Sequence, residues 1–128
     1  MTALVLDSGG VSRLARRAPE VVAFVTVLER DGLWPPVVPS VVLVESLSGR
    51  PRNDVAVHRL LKTCSIIEEL PLGLARRAGA LRAMAGRGSA VDAVVVAMAE
   101  PGGAVLSGDL EDLRALAAHA DDVEVHRV

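Results

Sequence analysis

One cysteine, one lysine, one tryptophan, one phenylalanine and no tyrosine occur among the 128 residues of this chain. The lone cysteine, Cys64, excludes an intrachain disulfide and suits a reducing, cytoplasmic setting. Beside the apolar run that comes after it, Cys64 reads as a small buried hydrophobe. With aromatics at 2 %, there is almost nothing on which nucleobases could stack. Trp34, flanked by Leu33, Pro35 and Pro36, reads as a packing anchor. Lys62 stands alone on a polar predicted helix, so a metal-free nuclease built on two histidines and a lysine fits poorly. His58, His119 and His126 show no metal-type spacing. No apolar run approaches the roughly 20 residues of a membrane-spanning helix. Nor does the N-terminus show a basic region followed by a long apolar stretch, so no secretory leader is expected. A GxxxxGK[ST] motif that would cradle a nucleotide triphosphate is missing. Asp7-Ser8-Gly9 lacks the second aspartate used by aspartyl-phosphate phosphatases, and none of the serines has a visible His–Asp partnership.

What the chain does have is an apolar surplus. Hydrophobic residues make up 51 % and there are 11 glycines, against a combined 45–50 % or so in an ordinary soluble domain. At 128 residues the chain is expected to form one domain with a real core. The surplus then reads as surface for a partner chain or a second copy. Net charge is −2, which argues against indiscriminate binding of nucleic acid. The cations are nearly all arginine, grouped at Arg13, Arg16 and Arg17, at Arg50 and Arg52, and at Arg76 and Arg77. Such groups either meet phosphates locally or are solvated helix faces.

Along the chain, "ALVLD" predicts a short buried strand ended by a turn-prone "SGG". Pro19 to Asp31 predicts a helix, with Val21, Phe24, Val25 and Leu28 on its inner stripe and Gly32 just past its end. "LWPPVVPS" is not helical, and Ser40 is placed to cap the segment after it. Asn53 to Lys62 and Leu72 to Ala85 predict helices, and "CSIIEEL" a strand. "VVLVES" and "SAVDAVVVAMAE" are ambiguous, because β-branched residues favour strands while Ser40 and Ser89 favour capped helices. "GGAVLSG" predicts a strand, "DLEDLRALAAH" a capped helix and "VEVHRV" a last strand. Alternating elements of this kind imply one α/β domain with a mostly parallel sheet covered on both faces.

Four carboxylates interrupt the apolar runs: Asp7, Glu45, Asp92 and Asp109. An ionised carboxylate against apolar surroundings is costly unless something positive meets it. Asp7 and Asp109 come after strands, and ligands of parallel sheets bind beyond the carboxyl ends of strands. That pattern implies a shared site for a hard divalent cation, which takes oxygen ligands. Three of the four also have an ordinary reading as helix caps. Asp7 precedes Ser8, Asp92 lies three residues after Ser89, and Asp109 with Asp112 brackets the start of a helix at Leu110. Glu45 has no such role.

In their order along the chain, "VLDSG", "PSVVLVES", "VDAVVVAMAE" and "LSGDLEDLRALA" resemble the PIN-domain ribonucleases, most closely the VapC-type toxins of bacterial toxin–antitoxin pairs. The resemblance spans essentially the whole chain. It implies a three-layer α/β/α sandwich in which the segments bearing Glu45 and Asp92 are helices. It also implies a Mg²⁺- or Mn²⁺-dependent endoribonuclease whose acidic quartet is Asp7, Glu45, Asp92 and Asp109, with Asp112 as an accessory. Ser8 and Ser107 fall at the small hydroxyl positions beside the first and last acids. A cognate antitoxin that blocks the acidic site and a toxin homodimer complete the implied picture. Arg13 and Arg87, next to elements that carry the acids, are the candidates for holding RNA phosphates. The chain departs from the family pattern at Ser8-Gly9-Gly10 and at Gly108, where a looser loop is expected. A non-catalytic PIN-like binding subunit, and a metal-dependent phosphoesterase acting on DNA or small phosphates, are the competing expectations.

Overall fold

A computed structural model describes residues 3–128 of the protein. Twelve elements succeed one another: β1 (Leu4–Leu6), α1 (Ser8–Ala15), α2 (Pro19–Arg30), β2 (Val37–Pro39), α3 (Ser40–Ser46), α4 (Pro51–Leu61), β3 (Ser65–Ile67), α5 (Leu72–Ala85), α6 (Ala90–Ala99), β4 (Ala104–Ser107), α7 (Glu111–Ala117) and β5 (Glu124–Arg127). The five strands form one sheet in the order β3-β2-β1-β4-β5. Every neighbouring pair is parallel. The chain steps from β1 to β2 to β3 in one direction, then returns past β1 to β4 and β5. With right-handed crossovers, that reversal puts α1 to α4 on one face and α5 to α7 on the other. Helix packing agrees: α1 lies against α3 and α4, while α5, α6 and α7 lie against one another. The result is the three-layer α/β/α sandwich expected from the sequence.

The core runs through the sheet and both helical layers. Val5, Leu6, Val38 and Val105 from the strands meet Val11 and Leu14 of α1 on one side and Leu81, Val95 and Val96 on the other, all of them buried. Helix α6 explains why its sequence is ambiguous. Six of its ten residues are buried, because it runs between the sheet and α5 and α7. A helix apolar all round belongs in such a place, and the capping box of Ser89 and Asp92 starts it as a helix rather than a strand.

Several expectations are corrected. The "SGG" after β1 is not a turn; it is the first turn of α1, entered directly from Asp7. Ser40 does not cap α3. It is the first helical residue, Pro39 occupies the cap position, and the Ser40 hydroxyl instead donates to Glu68 O at 3.0 Å. Val37–Pro39 is a strand that the flanking prolines conceal, while β3 stops at Ile67 instead of running on towards Pro71. Helix α7 begins at Glu111 with Leu110 at the cap position; Asp112 lies inside it, and Asp109, one residue before the cap, accepts the Glu111 N–H at 3.4 Å. Trp34 is half-buried against the core, as is Cys64, whose thiol burial pushes up to about 11. All three histidines are exposed. No helix among the described residues is long and apolar enough to cross a membrane.

Candidate functional site

Between β1 and β4 the chain departs in opposite directions, towards β2 from one strand and towards β5 from the other. The carboxyl ends of two such strands flank a crevice, because the connections leave on opposite sides. Here the crevice is a cleft of about 280 Å³ lined by Asp7, Ser8, Gly9, Glu45, Ser89, Asp92, Ser107, Asp109, Asp112 and Leu113. All four acids of the sequence motif and the accessory Asp112 therefore face one cavity, although they are spread over more than a hundred residues. Among the described residues, no lysine, arginine or histidine lines it.

Asp7 is the fixed point. It is 7 % exposed and caps α1, accepting the Gly10 N–H at Oδ1 (2.7 Å). Its Oδ2 lies 2.6 Å from the hydroxyl of Ser107, which is fully buried at the end of β4. Ser107 Oγ also accepts the Asp109 N–H at 3.0 Å and lies 2.9 Å from Asp109 O. One hydroxyl thus ties the first acid to the backbone of the last. Burial pushes the Asp7 carboxyl above its ordinary value of 3.8, against the lowering pull of the Ser107 and Gly10 hydrogen bonds. The charges of Asp92 and Glu45 push it further in the same direction. Hydrogen bonds to a carboxylate ordinarily lower its pKa, so here burial and like charge win.

The other acids are placed by helices. Glu45 projects exposed from α3. Asp92 accepts the Ser89 N–H at 3.3 Å while its own N–H donates to Ser89 Oγ at 3.0 Å, so it is both cap and cleft residue. Asp109 is exposed in the loop before α7 and approaches the Glu111 N–H at 3.4 Å. Asp112 accepts from Arg87 Nε at 2.7 Å, and Arg87 Nη2 lies 2.9 Å from Glu111. As they stand, no three His, Cys, Asp or Glu side chains among the described residues are arranged to hold a metal ion. Exposed carboxylates with no cation between them repel one another.

The glycines after Asp7 do not loosen the loop as expected. A Cβ on Gly10 would collide with Leu106 O, and one on Gly9 would come within 2.9 Å of Gly108 N. These glycines let α1 close directly onto β4, which is what brings Asp7 against Ser107. At Gly108 a Cβ would meet only the Arg13 side chain, at 3.2 Å from its Nε. Of the two arginine candidates, Arg87 is taken up by Glu111 and Asp112, whereas Arg13, among the described residues, donates to Val128 O alone, at 3.4 Å. Sequence reasoning missed Arg127, whose Nη1 donates to Gly108 O at 3.1 Å beside the cleft. The only signal it offers in the sequence is a final strand of unknown neighbour.

No family model matches the chain, and no curated protein matches it.

Proposed function

We propose that this protein is a Mg²⁺- or Mn²⁺-dependent endoribonuclease of the PIN type, acting as the toxin of a toxin–antitoxin pair. The observation that carries the reading is the convergence of Asp7, Glu45, Asp92, Asp109 and Asp112 on one cleft at the reversal point of the sheet, with no cationic side chain among them. The donor set fits a hard divalent ion, which takes carboxylate oxygens. Burial, with the charges of Asp92 and Glu45 adding to it, pushes the Asp7 carboxyl up, so a cation in the cleft would favour its ionised form. Asp7, Asp92 and Asp109, with Glu45, would hold the ion. When bound, such an ion supplies Lewis-acid activation of water and offsets charge gathering on a phosphodiester.

The chain's own residues supply position. Gly10 and Ser107 fix both oxygens of Asp7, and Ser107 holds the Asp109 backbone to the same point. Ser89 fixes Asp92 through reciprocal hydrogen bonds. Arg87 holds Asp112 to one side of the cleft, leaving the quartet to receive the ion. Without an ion the cleft repels RNA; with one it attracts the backbone.

The antitoxin and the second copy of the toxin belong to the same reading. Supporting them, Val44, Leu70, Leu72 and Met84 are at least half exposed. An apolar groove of about 290 Å³ also lies between α2 and α4, floored by Leu14, Val25, Trp34 and Leu60. Isolated apolar residues are common on surfaces, but a continuous apolar groove marks an interaction site.

The test is cleavage of total cellular RNA by the purified chain with Mg²⁺, beside Asp92→Asn. Asparagine keeps an oxygen for the Ser89 N–H, so the capping box survives while the charge is lost. Discrete fragments from wild type alone support the reading. Equal cleavage by both proteins, or cleavage of single-stranded DNA in preference to RNA, counts against it. Absence of cleavage by a folded, Mn²⁺-binding wild type favours a non-catalytic binding subunit.

A further inference from the structure

Three arginines stand around the acidic cleft, and they differ in their partners. Arg87 is neutralised by Glu111 and Asp112. Arg13 of α1 and Arg127 of β5 are exposed, and neither takes part in any ion pair with a side-chain carboxylate among the described residues. Both are nevertheless held at the same spot. Arg127 donates to Gly108 O at 3.1 Å. The Arg13 side chain also lies against Gly108, so that a Cβ there would sit 3.2 Å from its Nε and 3.8 Å from its Nη2. The parallel register of β4 and β5 sets Ser107 beside Arg127, and α1 packs its first turn against the same loop. Two elements far apart in sequence thus deliver cations to one residue, and that residue precedes Asp109.

A guanidinium carries five N–H donors in a planar fork suited to phosphate. Among the described residues, Arg127 donates to Gly108 O and Arg13 to an oxygen of Val128, and both side chains are exposed. The cleft beside them is lined by acids alone among charged residues, and the chain has almost no aromatic surface for stacking bases. A polyanionic strand laid over the cleft therefore needs its backbone held from the rim.

We infer that Arg13 and Arg127 form a two-pronged phosphate clamp. It grips the backbone of single-stranded RNA next to Asp109, within a nucleotide or so of the phosphodiester presented to the carboxylates. The inference rests on the nuclease reading above and assigns the direction in which the strand leaves the cleft: over Gly108, not over Arg87. Contacts of this kind position a strand without reading its sequence.

The test is fluorescence anisotropy with a short fluorescein-labelled single-stranded RNA and Mg²⁺. The full chain carries Asp92→Asn to keep the RNA intact. Arg13→Gln and Arg127→Gln are added singly and together. Arg30→Gln serves as the control, since Arg30 ends α2 where the chain turns back to begin β2 at the opposite end of the parallel sheet. Each clamp substitution is expected to weaken binding about three- to tenfold at low salt. It should also reduce the slope of log affinity against log salt by about 0.7 per arginine. Arg13→Lys and Arg127→Lys should restore most of the slope, a readout that a purely structural role would not move. Arg30→Gln should bind within about twofold of its parent. A double Gln variant with unchanged affinity and slope, in a protein that binds and whose wild type cleaves RNA, overturns the clamp alone. A parent that binds no RNA, with a wild type that cleaves none, overturns the clamp together with the nuclease reading.

Discussion

Asp7 and Asp54 are almost equally buried, at 7 % and 6 % exposure, yet their carboxyls move in opposite directions. Both accept a backbone N–H and a serine hydroxyl. Asp54, in the first turn of α4, accepts the Ser48 N–H at 2.9 Å, the Ser48 hydroxyl at 2.8 Å and the Gly49 N–H at 3.0 Å. Led by the Ser48 N–H, these bonds outweigh burial, and with the charge of His58 they hold Asp54 below its ordinary 3.8. Asp7 has fewer donors, a desolvation cost that outweighs them, and two acids facing it. Glu100 belongs with Asp54, being met by both Nε and Nη2 of Arg77, at 2.8 and 2.7 Å, and by the Asp121 N–H. Arg77 is the main reason that its carboxyl is held low. Carboxylates that serve the fold are matched by donors, whereas for the one at the centre of the cleft desolvation outweighs its two donors and the neighbouring acids add to it. Fractional exposure alone does not separate the two kinds; the balance between desolvation and hydrogen-bond donors does, with the charges of Asp92 and Glu45 adding to the desolvation of Asp7.

Four experiments break or sharpen that contrast, the first having the largest expected effect. Asp7→Asn should lower RNA cleavage by at least about 100-fold, because loss of an outer-shell partner already costs about 10–100-fold and Asp7 is assigned closer in. The same substitution should not lower the thermal midpoint of the ion-free protein, since the amide can still accept from Gly10 and meet Ser107. Second, Mg²⁺ or Mn²⁺ at about 100 times its dissociation constant should stabilise the wild type by about 2.7 kcal/mol. Asp7→Asn should lose most of that gain, as calorimetry or thermal melts would reveal. Third, Asp54→Ala should lower the melting temperature without metal and leave cleavage within a few-fold, which reverses the Asp7 pattern. The Ser48-Gly49 loop that Asp54 holds joins α3 to α4 and, among the described residues, contributes none to the cleft.

The fourth experiment is the smallest in effect and tracks stability with pH. Asp54 and Glu100, both held low, contribute stability above their ordinary values of 3.8 and 4.5, and that contribution is lost as pH falls through their folded-state values. Asp7, held high, works the other way: its ionisation destabilises the ion-free fold above its raised folded-state value, and the cost vanishes below 3.8. Urea unfolding should therefore show Asp7→Asn gaining on the wild type as pH rises from about 4 towards neutrality. A difference that instead grows on acidification would mean that Asp7 is stabilised by partners as Asp54 is.

Much of the architecture was legible because local rules and tertiary demands coincide. Leu72 to Ala85 is a helix as its composition suggests, closed by Gly86 in the left-handed conformation. Gly32 just past α2 and the strand before Asp7 likewise arise from short-range chemistry. Where the structure differs from the local signal, a distant partner has overruled it. Val37–Pro39 is a strand only because β1 and β3 flank it. Ser8-Gly9-Gly10 is helical because those glycines let α1 seat on β4. Ser40 gives its hydroxyl to Glu68 instead of to its own helix.

The same division holds at the cleft. Sequence by itself determined which acids interrupt apolar runs, since a charge beside buried neighbours is visible wherever it occurs. It determined the parallel α/β class as well, because hydrophobic periodicity and turn residues act over a few positions. Only the tertiary structure decided that Asp112 is held by Arg87, that Ser107 binds Asp7 to Asp109, and that Arg13 and Arg127 meet at Gly108. Arg87 and Asp112 are 25 positions apart, and Ser107 and Asp7 are 100 apart. Such pairings arise from strand order and helix seating, which depend on how the whole chain buries its apolar surface.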